Sequence, residues 1–286
     1  MICPNPITVR KGQSNEAIVP CGKCYYCLQN YRNMWITRLK AEFLSCVNGQ
    51  FVTLTYDDDH LPLQELVNSS TGEIVTKQYP DKVGFQKFLK RLRKKYELRY
   101  FAVSEYGEQT QRVHWHALFF LQFVPDYHFY DIVESTWQNG NVQFGTITDA
   151  SITYVTKYLL KDTNVPFAIL DNKMLCSRKP PIGSDVIMQF KDYAQKSGNF
   201  TQLSFCGYRA STPRLFRDKF RQGLVVDSSD LISKSIELRD KMLRKEFEKS
   251  RFTDFRDFII WKMETESLVR KINHSKPFTF VKILII

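Results

Sequence analysis

Long hydrophobic runs are missing from this sequence of 286 residues. No stretch reaches the roughly 18 consecutive apolar residues that a membrane-spanning helix needs. Residues 1–19 also lack the continuous apolar segment of a secretory signal peptide. These absences argue against a membrane protein and against a secreted one. We therefore expect an intracellular protein without a membrane partner.

Cysteine is present in an odd number, so the chain cannot form a fully paired disulfide framework. Three of its seven cysteines, Cys21, Cys24 and Cys27, stand at three-residue intervals. In a chain without a signal peptide this spacing favours a metal site. Gly22 permits a tight turn as in a zinc knuckle, and Cys3 is the candidate for the fourth ligand of a structural Zn²⁺. Buried free thiols are the alternative.

The composition is that of a folded, basic protein. Hydrophobic residues make up 43% and aromatic residues 14% of the chain, and the formal net charge is +11. Such a charge points to a polyanionic partner, of which nucleic acid is the commonest. A basic protein that is merely well solvated is the alternative.

Hydrophobic periodicity predicts alternating helices and strands in the first 162 residues. The predicted helices are 28–46, 82–96, 128–137 and 152–162, and the predicted strands are 50–56, 99–106, 114–123 and 141–147. A loop is expected between residues 57 and 81, and charged helix of mixed sign at 228–273. This order indicates the α+β class, with a central, mainly antiparallel sheet and flanking helices that cover one side.

The second predicted helix has a basic face opposite its apolar one. The residues of this face are Lys87, Lys90, Arg91, Arg93 and Lys94. They are candidates for contact with the DNA backbone, and an ordinary solvated helix face is the alternative.

Two of the five histidines lie two residues apart, at the head of the apolar run 112–120. Because side chains alternate along a strand, His114, His116, Leu118 and Phe120 should share one face. Both imidazoles then point the same way and can bind one metal ion. A pair of histidines satisfied by their neighbours is the alternative.

A carboxylate near the two histidines would complete a metal site. Glu105 and Glu108 lie on the preceding strand and turn, from which either could reach across the hairpin. Two imidazoles and one carboxylate suit Mg²⁺ or Mn²⁺ beside a phosphate group, and zinc-dependent hydrolysis is a competing use of the same ligands.

The predicted helix 152–162 carries two tyrosines and two lysines at a spacing of four. Tyr154 and Tyr158 form one stripe on it, and Lys157 and Lys161 form an adjacent stripe. A phenol near a metal-bound phosphate can act as a nucleophile, and an ammonium group can lower its pKa and stabilise a pentavalent phosphorus. Ordinary aromatic packing is the alternative for this helix.

Together these motifs resemble a known family. The segments "FVTLTY", "SEYG" followed by "HWH", and "YVTKYLLK" are similar, in that order, to the three motifs of the HUH rolling-circle replication endonucleases. The segments "CGKCYYCLQNYRNMWITRLKAE", "SRKPPIG" and "TPRLFRDK" resemble the replication initiators of gokushoviruses, the single-stranded DNA phages of the Microviridae. The likeness extends from about residue 3 to residue 220.

The resemblance implies a four-part organisation. It assigns 1–48 to a cysteine-rich segment with the first helix, 49–163 to an HUH nuclease core, 164–227 to a family-specific extension and 228–286 to a charged helical region. It implies His114, His116 and Glu105 as metal ligands. Glu105 ranks above Glu108 because it precedes His114 by nine residues, a separation similar to that in related initiators.

The resemblance also implies an activity and its setting. The protein is expected to nick the origin of circular viral DNA in the host bacterial cytoplasm. A tyrosine would form a 5′-phosphotyrosyl link, and the free 3′-OH would prime host polymerase, assisted by host helicase. Rivals are a transposase or relaxase of the same superfamily and a non-catalytic zinc-knuckle protein that binds nucleic acid through stacked aromatics and basic helices.

Overall fold

The computed structural model describes residues 3, 7–13, 16–67, 72–107, 110–160, 172–222, 241, 243–259 and 261–262. The chain divides into two compact units, 1–222 and 223–286. Among the described helices, none has both the length and the apolar character that crossing a bilayer requires.

The first unit is built from strands and helices that alternate along the chain. Its strands are β1 (Ile7–Val9), β2 (Ala17–Val19), β3 (Asn48–Thr55), β4 (Leu63–Val67), β5 (Ile74–Gln78), β6 (Leu98–Tyr106), β7 (Val113–Leu121), β8 (Val142–Thr146), β9 (Met174–Cys176), β10 (Gln202–Phe205) and β11 (Tyr208–Ser211). Its α-helices are α1 (Tyr25–Ser45), α2 (Lys82–Leu92), α3 (Tyr127–Trp137), α4 (Asp149–Lys157), α5 (Ser184–Ile187), α6 (Lys191–Ser197) and α7 (Arg214–Arg221).

A five-stranded sheet forms the centre of this unit. Its strands lie in the order β8, β3, β7, β6, β9, and each neighbouring pair is antiparallel. Three two-stranded sheets pair β1 with β2, β4 with β5 and β10 with β11. The predicted α+β class with an antiparallel sheet and flanking helices is confirmed.

Helices cover both faces of the sheet, so the prediction that they cover one side is wrong. Trp115 and Phe119 of β7 lie in a core that contains residues of α2 and α3. Leu118 and Phe120 lie in a second core, with residues of α1 and α4. The predicted alternation along β7 is therefore correct. Its continuous apolar run reflects a strand that is buried on both faces.

The ends of the predicted elements moved most at the tyrosine helix, α4. It begins at Asp149 because Thr148 and Ser151 form a capping box, in which each side chain bonds the other's backbone N–H. It ends at Lys157, whereas the prediction extended it to residue 162.

The segment expected to be a loop contains the hairpin of β4 and β5. Its two strands are mostly exposed, so they carry no hydrophobic alternation by which the sequence could reveal them. Strand β9 adds to the sheet at the edge of β6, which also was not predicted.

The "SRKPPIG" segment, 177–183, packs on α1 and β6 through a buried carboxylate. Glu42 of α1 accepts a hydrogen bond from the backbone N–H of Gly183 at 2.6 Å and forms an ion pair with Arg99. Arg99 also donates to the carbonyl of Pro180 at 2.9 Å. The motif thus serves to attach the extension to the sheet.

In the second unit, the described residues include helical turns at 243–248 and 255–259. Phe258 is buried there and lies against the ring of Trp261, with the centroids 6.3 Å apart. The rest of the predicted charged helix 228–273 lies outside the described residues.

Candidate active site

The central strand β7 places both histidines on the sheet face that α1 and α4 cover. His114 lies opposite Glu105 of β6 and opposite Thr55 of β3. His116 lies opposite Thr53 of β3. Directly opposed residues of antiparallel strands project from the same face, so pairing brings the carboxylate and both imidazoles together.

Three atoms of these side chains form a close cluster. Glu105 Oε2 lies 2.8 Å from His116 Nε2 and 3.3 Å from His114 Nε2, and the two Nε2 atoms lie 3.2 Å apart. Glu105 and His116 are buried, whereas His114 is partly exposed. The predicted ligands His114, His116 and Glu105 therefore meet at one point.

Outer contacts orient both imidazoles. His114 Nδ1 donates to the backbone carbonyl of Arg112 at 3.1 Å, so the Nε2 of a neutral His114 carries a lone pair. His116 Nδ1 lies 3.1 Å from Thr53 Oγ1. Such contacts to the far nitrogen are typical of metal-binding histidines, because they fix the ring and its tautomer.

This donor set fits a divalent cation. Ligand atoms about 2.1 Å from one ion, at right angles, lie about 3 Å apart, which matches the separations of 2.8 to 3.3 Å. A lone pair of His114 that faces a carboxylate oxygen also needs a positive charge nearby. The three residues thus form a group that could hold a metal ion.

Aromatic rings surround His116. The ring of Tyr158 stacks on the imidazole at 5.5 Å between centroids and an interplanar angle of 14°, and Phe51 stacks on it at 5.5 Å and 20°. Tyr154 meets it edge-on at 5.3 Å. Both predicted tyrosines are therefore in contact with a predicted metal ligand.

Lys157 lies beside both tyrosines. Its Nζ is 4.3 Å from the ring centre of Tyr154 and 4.7 Å from that of Tyr158, and the two tyrosine rings are 5.3 Å apart. Tyr158 is buried, whereas Tyr154 is partly exposed. The α4 helix thus presents two phenols and one ammonium group at the Glu–His–His cluster.

Burial and charge perturb the acidities in this cluster. Burial raises the pKa of the Glu105 carboxyl group, but its interactions with the two histidines and Tyr158 outweigh this effect, and the pKa falls well below its ordinary value. Burial lowers the pKa of His116. Burial and the Glu105 carboxylate raise the pKa of Tyr158 above that of a free phenol. The site therefore favours an ionised carboxylate and a neutral His116.

Two residues named from the sequence cannot be placed. Lys161, the second lysine of the tyrosine helix, and Glu108, the alternative third ligand, lie outside the described residues. Three other residues at the site were not predicted: Phe51, Thr53 and Arg112. Strand alternation in "FVTLTY" could have placed Phe51 and Thr53 on the face of His116.

The four cysteines of the predicted zinc site also converge. The sulfur atoms of Cys3, Cys21, Cys24 and Cys27 all lie within 4.8 Å of one another. Cys21 Sγ is 3.9 Å from Cys27 Sγ, and Cys24 Sγ is 3.8 Å from Cys3 Sγ. Hydrogen bonds from the backbone N–H groups of Cys24 and Lys23 lower the pKa of Cys21 to about 6. These cysteines form a second group that could hold a metal ion.

The basic face of α2 lies on the other side of the sheet. Its five predicted residues, Lys87, Lys90, Arg91, Arg93 and Lys94, are exposed. Two of them bond to the protein itself, since Arg91 donates to the carbonyl of Thr136 and Arg93 to the hydroxyl of Ser177. Because α2 packs on the face opposite the histidines, this surface is separate from the Glu–His–His cluster.

Comparisons with known proteins agree with these motifs. Residues 49–163 match the model of a family of replication-associated proteins, described by its member ORF2, and this range includes the Glu–His–His cluster and both tyrosines. Replication-associated protein VP4 of Bdellovibrio phage phiMH2K is 27% identical over 84% of this chain and 79% of its own length.

Two further relatives match over a smaller share of their length. Replication-associated protein ORF4 of Chlamydia phage 1 is 25% identical over 73% of this chain and 55% of its own length. Replication-associated protein ORF2 of Spiroplasma virus 4 is 30% identical over 51% and 49%, respectively. The chain thus spans about half the length of these two relatives.

Among solved structures, the hypothetical protein ORF119 of Sulfolobus islandicus rod-shaped virus 1 aligns with 44% of this chain and 90% of its own. The TM-score of 0.29 and the identity of 19% are too low to support an inference. The resemblance to phage replication proteins that the sequence motifs indicate is confirmed by the three relatives and the family model.

Proposed function

Because the chain is related to phage replication-associated proteins, we propose that it is an HUH-type endonuclease and strand transferase that nicks the origin of circular viral DNA. It starts and terminates rolling-circle replication. The observation that carries this proposal is the contact of Tyr154 and Tyr158 with His116, one of three residues suited to hold a metal ion. Nucleophile and metal ligands are thereby side by side.

The reaction is a transfer of one phosphodiester bond to tyrosine. The phenolic oxygen forms a bond to phosphorus, the bond from phosphorus to the 3′ oxygen breaks, and a proton ends on the new 3′-OH. The product is a 5′-phosphotyrosyl link, which preserves the bond energy for later rejoining. The 3′-OH is free to be extended by a polymerase.

His114, His116 and Glu105 would hold a divalent ion, Mg²⁺ or Mn²⁺, which when bound supplies charge stabilisation at the phosphate. Thr53 and the Arg112 carbonyl keep the two imidazoles in place. These contacts are available before DNA arrives, so the ligands need no reorganisation.

Lys157 provides the positive charge that the tyrosines need. The raised pKa of Tyr158 makes its phenolate costly, and an ammonium group 4.7 Å from its ring centre favours the charged form. The same ammonium lies 4.3 Å from the ring centre of Tyr154, so it can assist either phenol. It can also stabilise charge that develops at phosphorus.

A nicking assay tests the proposal. Supercoiled viral replicative-form DNA is incubated with the protein and Mn²⁺, and nicked circles with covalently attached protein are expected. The Tyr154→Phe/Tyr158→Phe double variant should form no adduct. Tyr127, a tyrosine that is 89% exposed, provides the control, and Tyr127→Phe should nick normally. A double variant that still forms the adduct would refute the tyrosine assignment.

The partners and location follow from this activity. The protein would act on the origin of circular viral DNA in the bacterial host cytoplasm and hand the 3′ end to host helicase and polymerase. The names of the three relatives refer to replication, which favours an initiator over a transposase or relaxase of the same superfamily.

We also infer that the cysteine cluster binds structural Zn²⁺. Zinc at the centre of a thiolate tetrahedron, with bonds of about 2.3 Å, holds its sulfur atoms about 3.8 Å apart. The separations of 3.9 Å between Cys21 and Cys27 and 3.8 Å between Cys24 and Cys3 match this value. The lowered pKa of Cys21 favours the thiolate that a metal requires.

Metal analysis tests the zinc proposal. We expect about one zinc per purified chain and a clear loss of both zinc and thermal stability in Cys24→Ser. Cys206 is an exposed cysteine outside the cluster, so Cys206→Ser is the matched control and should keep the metal. Zinc-free wild-type protein with unchanged stability would rule the site out.

A further inference from the structure

The first turns of α1 connect the cysteine cluster with the tyrosine helix. Cys24 is the N-cap residue of α1 and Cys27 lies in its first turn. Arg32 follows soon after, and its Nη2 donates a hydrogen bond of 2.9 Å to the backbone carbonyl of Thr153 in α4. Thr153 directly precedes Tyr154, so this bond attaches α1 beside the predicted nucleophile.

Helix α4 depends on such contacts for its position. It has nine residues, and helices shorter than about 12 residues are marginal without tertiary packing. Tyr158 lies at its C-cap, where the helical hydrogen bonds end. The location of both phenols is therefore decided by what α4 packs against, and not by the helix itself.

Apolar contacts hold α4 to α1 without fixing its rotation. Trp35 and Leu39 of α1 share a core with Ile152 and Val155 of α4. Burial of apolar surface is favourable but non-directional. A hydrogen bond from a guanidinium group to one particular backbone carbonyl is directional, so it can fix the register that the apolar contacts leave free.

A second polar contact between these helices is weaker. Lys40 Nζ lies 2.8 Å from Asp149 at the start of α4, where the Asp149 side chain is 77% exposed. Exposed ion pairs of this kind contribute little. Arg32 is half-buried and bonds within α4, next to the tyrosine. Of these two polar contacts, the Arg32 bond is the one that can position the phenols.

We propose that Arg32 is a positioning residue that holds the tyrosine helix against the Glu–His–His cluster, and that the cysteine cluster keeps Arg32 in place by fixing the first turn of α1. The assignment rests on the proposed nicking function for its catalytic consequence. The structural consequence, a less ordered α4 when Arg32 or the cysteine cluster is lost, is independent of that function.

Hydrogen exchange measured by mass spectrometry tests the structural part. In Arg32→Ala, amide exchange in 149–157 should become about tenfold faster, while β6 and β7 stay protected and the zinc content is unchanged. Arg32→Lys retains a donor and should restore part of the protection. Lys40→Ala removes the exposed pair and serves as the control, with little change. Unchanged protection of 149–157 in Arg32→Ala would overturn the proposal.

Kinetics of the same variants test the catalytic part. Single-turnover nicking by Arg32→Ala at saturating DNA should be about 10- to 100-fold slower, since misplacement of a reacting group by about 1 Å has effects of this size. Its DNA affinity, measured in EDTA, should be unchanged. A variant with faster exchange in α4 but a normal nicking rate would show that α4 position does not limit the reaction.

Removal of zinc tests the link to the cysteines. In Cys24→Ser, exchange should increase in the first turn of α1 and in 149–157. Increased exchange in α1 without any in α4 would disprove the link. If wild-type protein fails to nick DNA at all, the proposed function fails, and the exchange results for Arg32→Ala still decide whether Arg32 holds α4.

Discussion

Tyr158 stacks on His116 with their rings 14° from parallel and the centroids 5.5 Å apart, so a predicted nucleophile packs on a predicted metal ligand. Neither group could move without disturbing the other. The consequence is a site whose parts are assembled by three elements: β7 supplies the histidines, β6 the carboxylate and α4 the tyrosines. Each can be tested separately.

Loss of a metal ligand should abolish nicking and spare DNA binding. We expect His116→Ala and Glu105→Gln to nick at least about 100-fold more slowly, because a bound divalent ion contributes several kcal/mol of charge stabilisation. DNA affinity should change little, since it comes mainly from lysine and arginine contacts with phosphate. Both quantities are measured on the same supercoiled DNA, by gel and by fluorescence anisotropy.

Two controls make this prediction specific. His128→Ala alters an exposed histidine on α3 and should retain full activity. Thr53→Val removes the outer contact to His116 and should give an intermediate loss of about 10-fold. Nicking at the normal rate in excess EDTA would eliminate the metal mechanism.

Much of this site could be predicted from local sequence patterns. Strand alternation was enough to put His114 and His116 on one face, and a spacing of four was enough to put Tyr154 beside Tyr158. That these two pairs meet is a tertiary fact, because it requires α4 to cross the sheet face over β7. The resemblance to known initiators supplied that part.

Other features left no local signal. Both faces of β7 are buried, and a continuous apolar strand looks the same whether helices cover one face or two. The hairpin of β4 and β5 is exposed on both sides, so its polar residues read as a loop. The contact of Arg32 with Thr153 joins residues 121 positions apart, and no periodicity in the sequence reports such a pair.

Removal of the Glu42 carboxylate should destabilise the fold. Glu42 is 2% exposed, pairs with Arg99 and accepts the N–H of Gly183. Loss of one partner of a buried ion pair costs about 3 kcal/mol or more, because the other charge remains without compensation. We expect Glu42→Ala to lower the free energy of unfolding by about this amount in urea denaturation.

The matched control is Glu134→Ala, which removes an exposed carboxylate from α3 and should change the unfolding free energy by less than about 0.5 kcal/mol. Equal stability of Glu42→Ala and Glu134→Ala would mean that the "SRKPPIG" segment is not held by this carboxylate.

The basic face of α2 should affect DNA affinity and leave the chemical step intact. Replacing Lys87, Lys90 and Lys94 by Gln removes three exposed charges from the side of the sheet opposite the histidines. If they contact phosphates, the slope of log K against log salt should become shallower by about 0.9 per contact. Single-turnover nicking at saturating DNA should stay normal. An unchanged salt slope would mean that this face is merely solvated.

The two tyrosines should divide the work of one replication cycle. The first cut leaves one tyrosine esterified to the 5′ end, and that tyrosine cannot then make the cut that ends the cycle. Tyr154 and Tyr158 have rings 5.3 Å apart and share Lys157, so the second phenol lies close to the phosphate position of the first. We expect each to act in turn, with the released 3′-OH closing the circle.

Single variants separate this scheme from one in which a single tyrosine does all the chemistry. Tyr154→Phe and Tyr158→Phe should each keep some nicking of supercoiled DNA but lose repeated production of unit-length single-stranded circles in a replication assay with purified polymerase and helicase. Because Tyr158 is buried on His116 and its pKa is raised, whereas Tyr154 is partly exposed, the first cut should depend more on Tyr154. Mass spectrometry of the trapped adduct identifies the residue. A phosphotyrosyl peptide that maps to Tyr56 or Tyr106 instead would contradict the assignment of both.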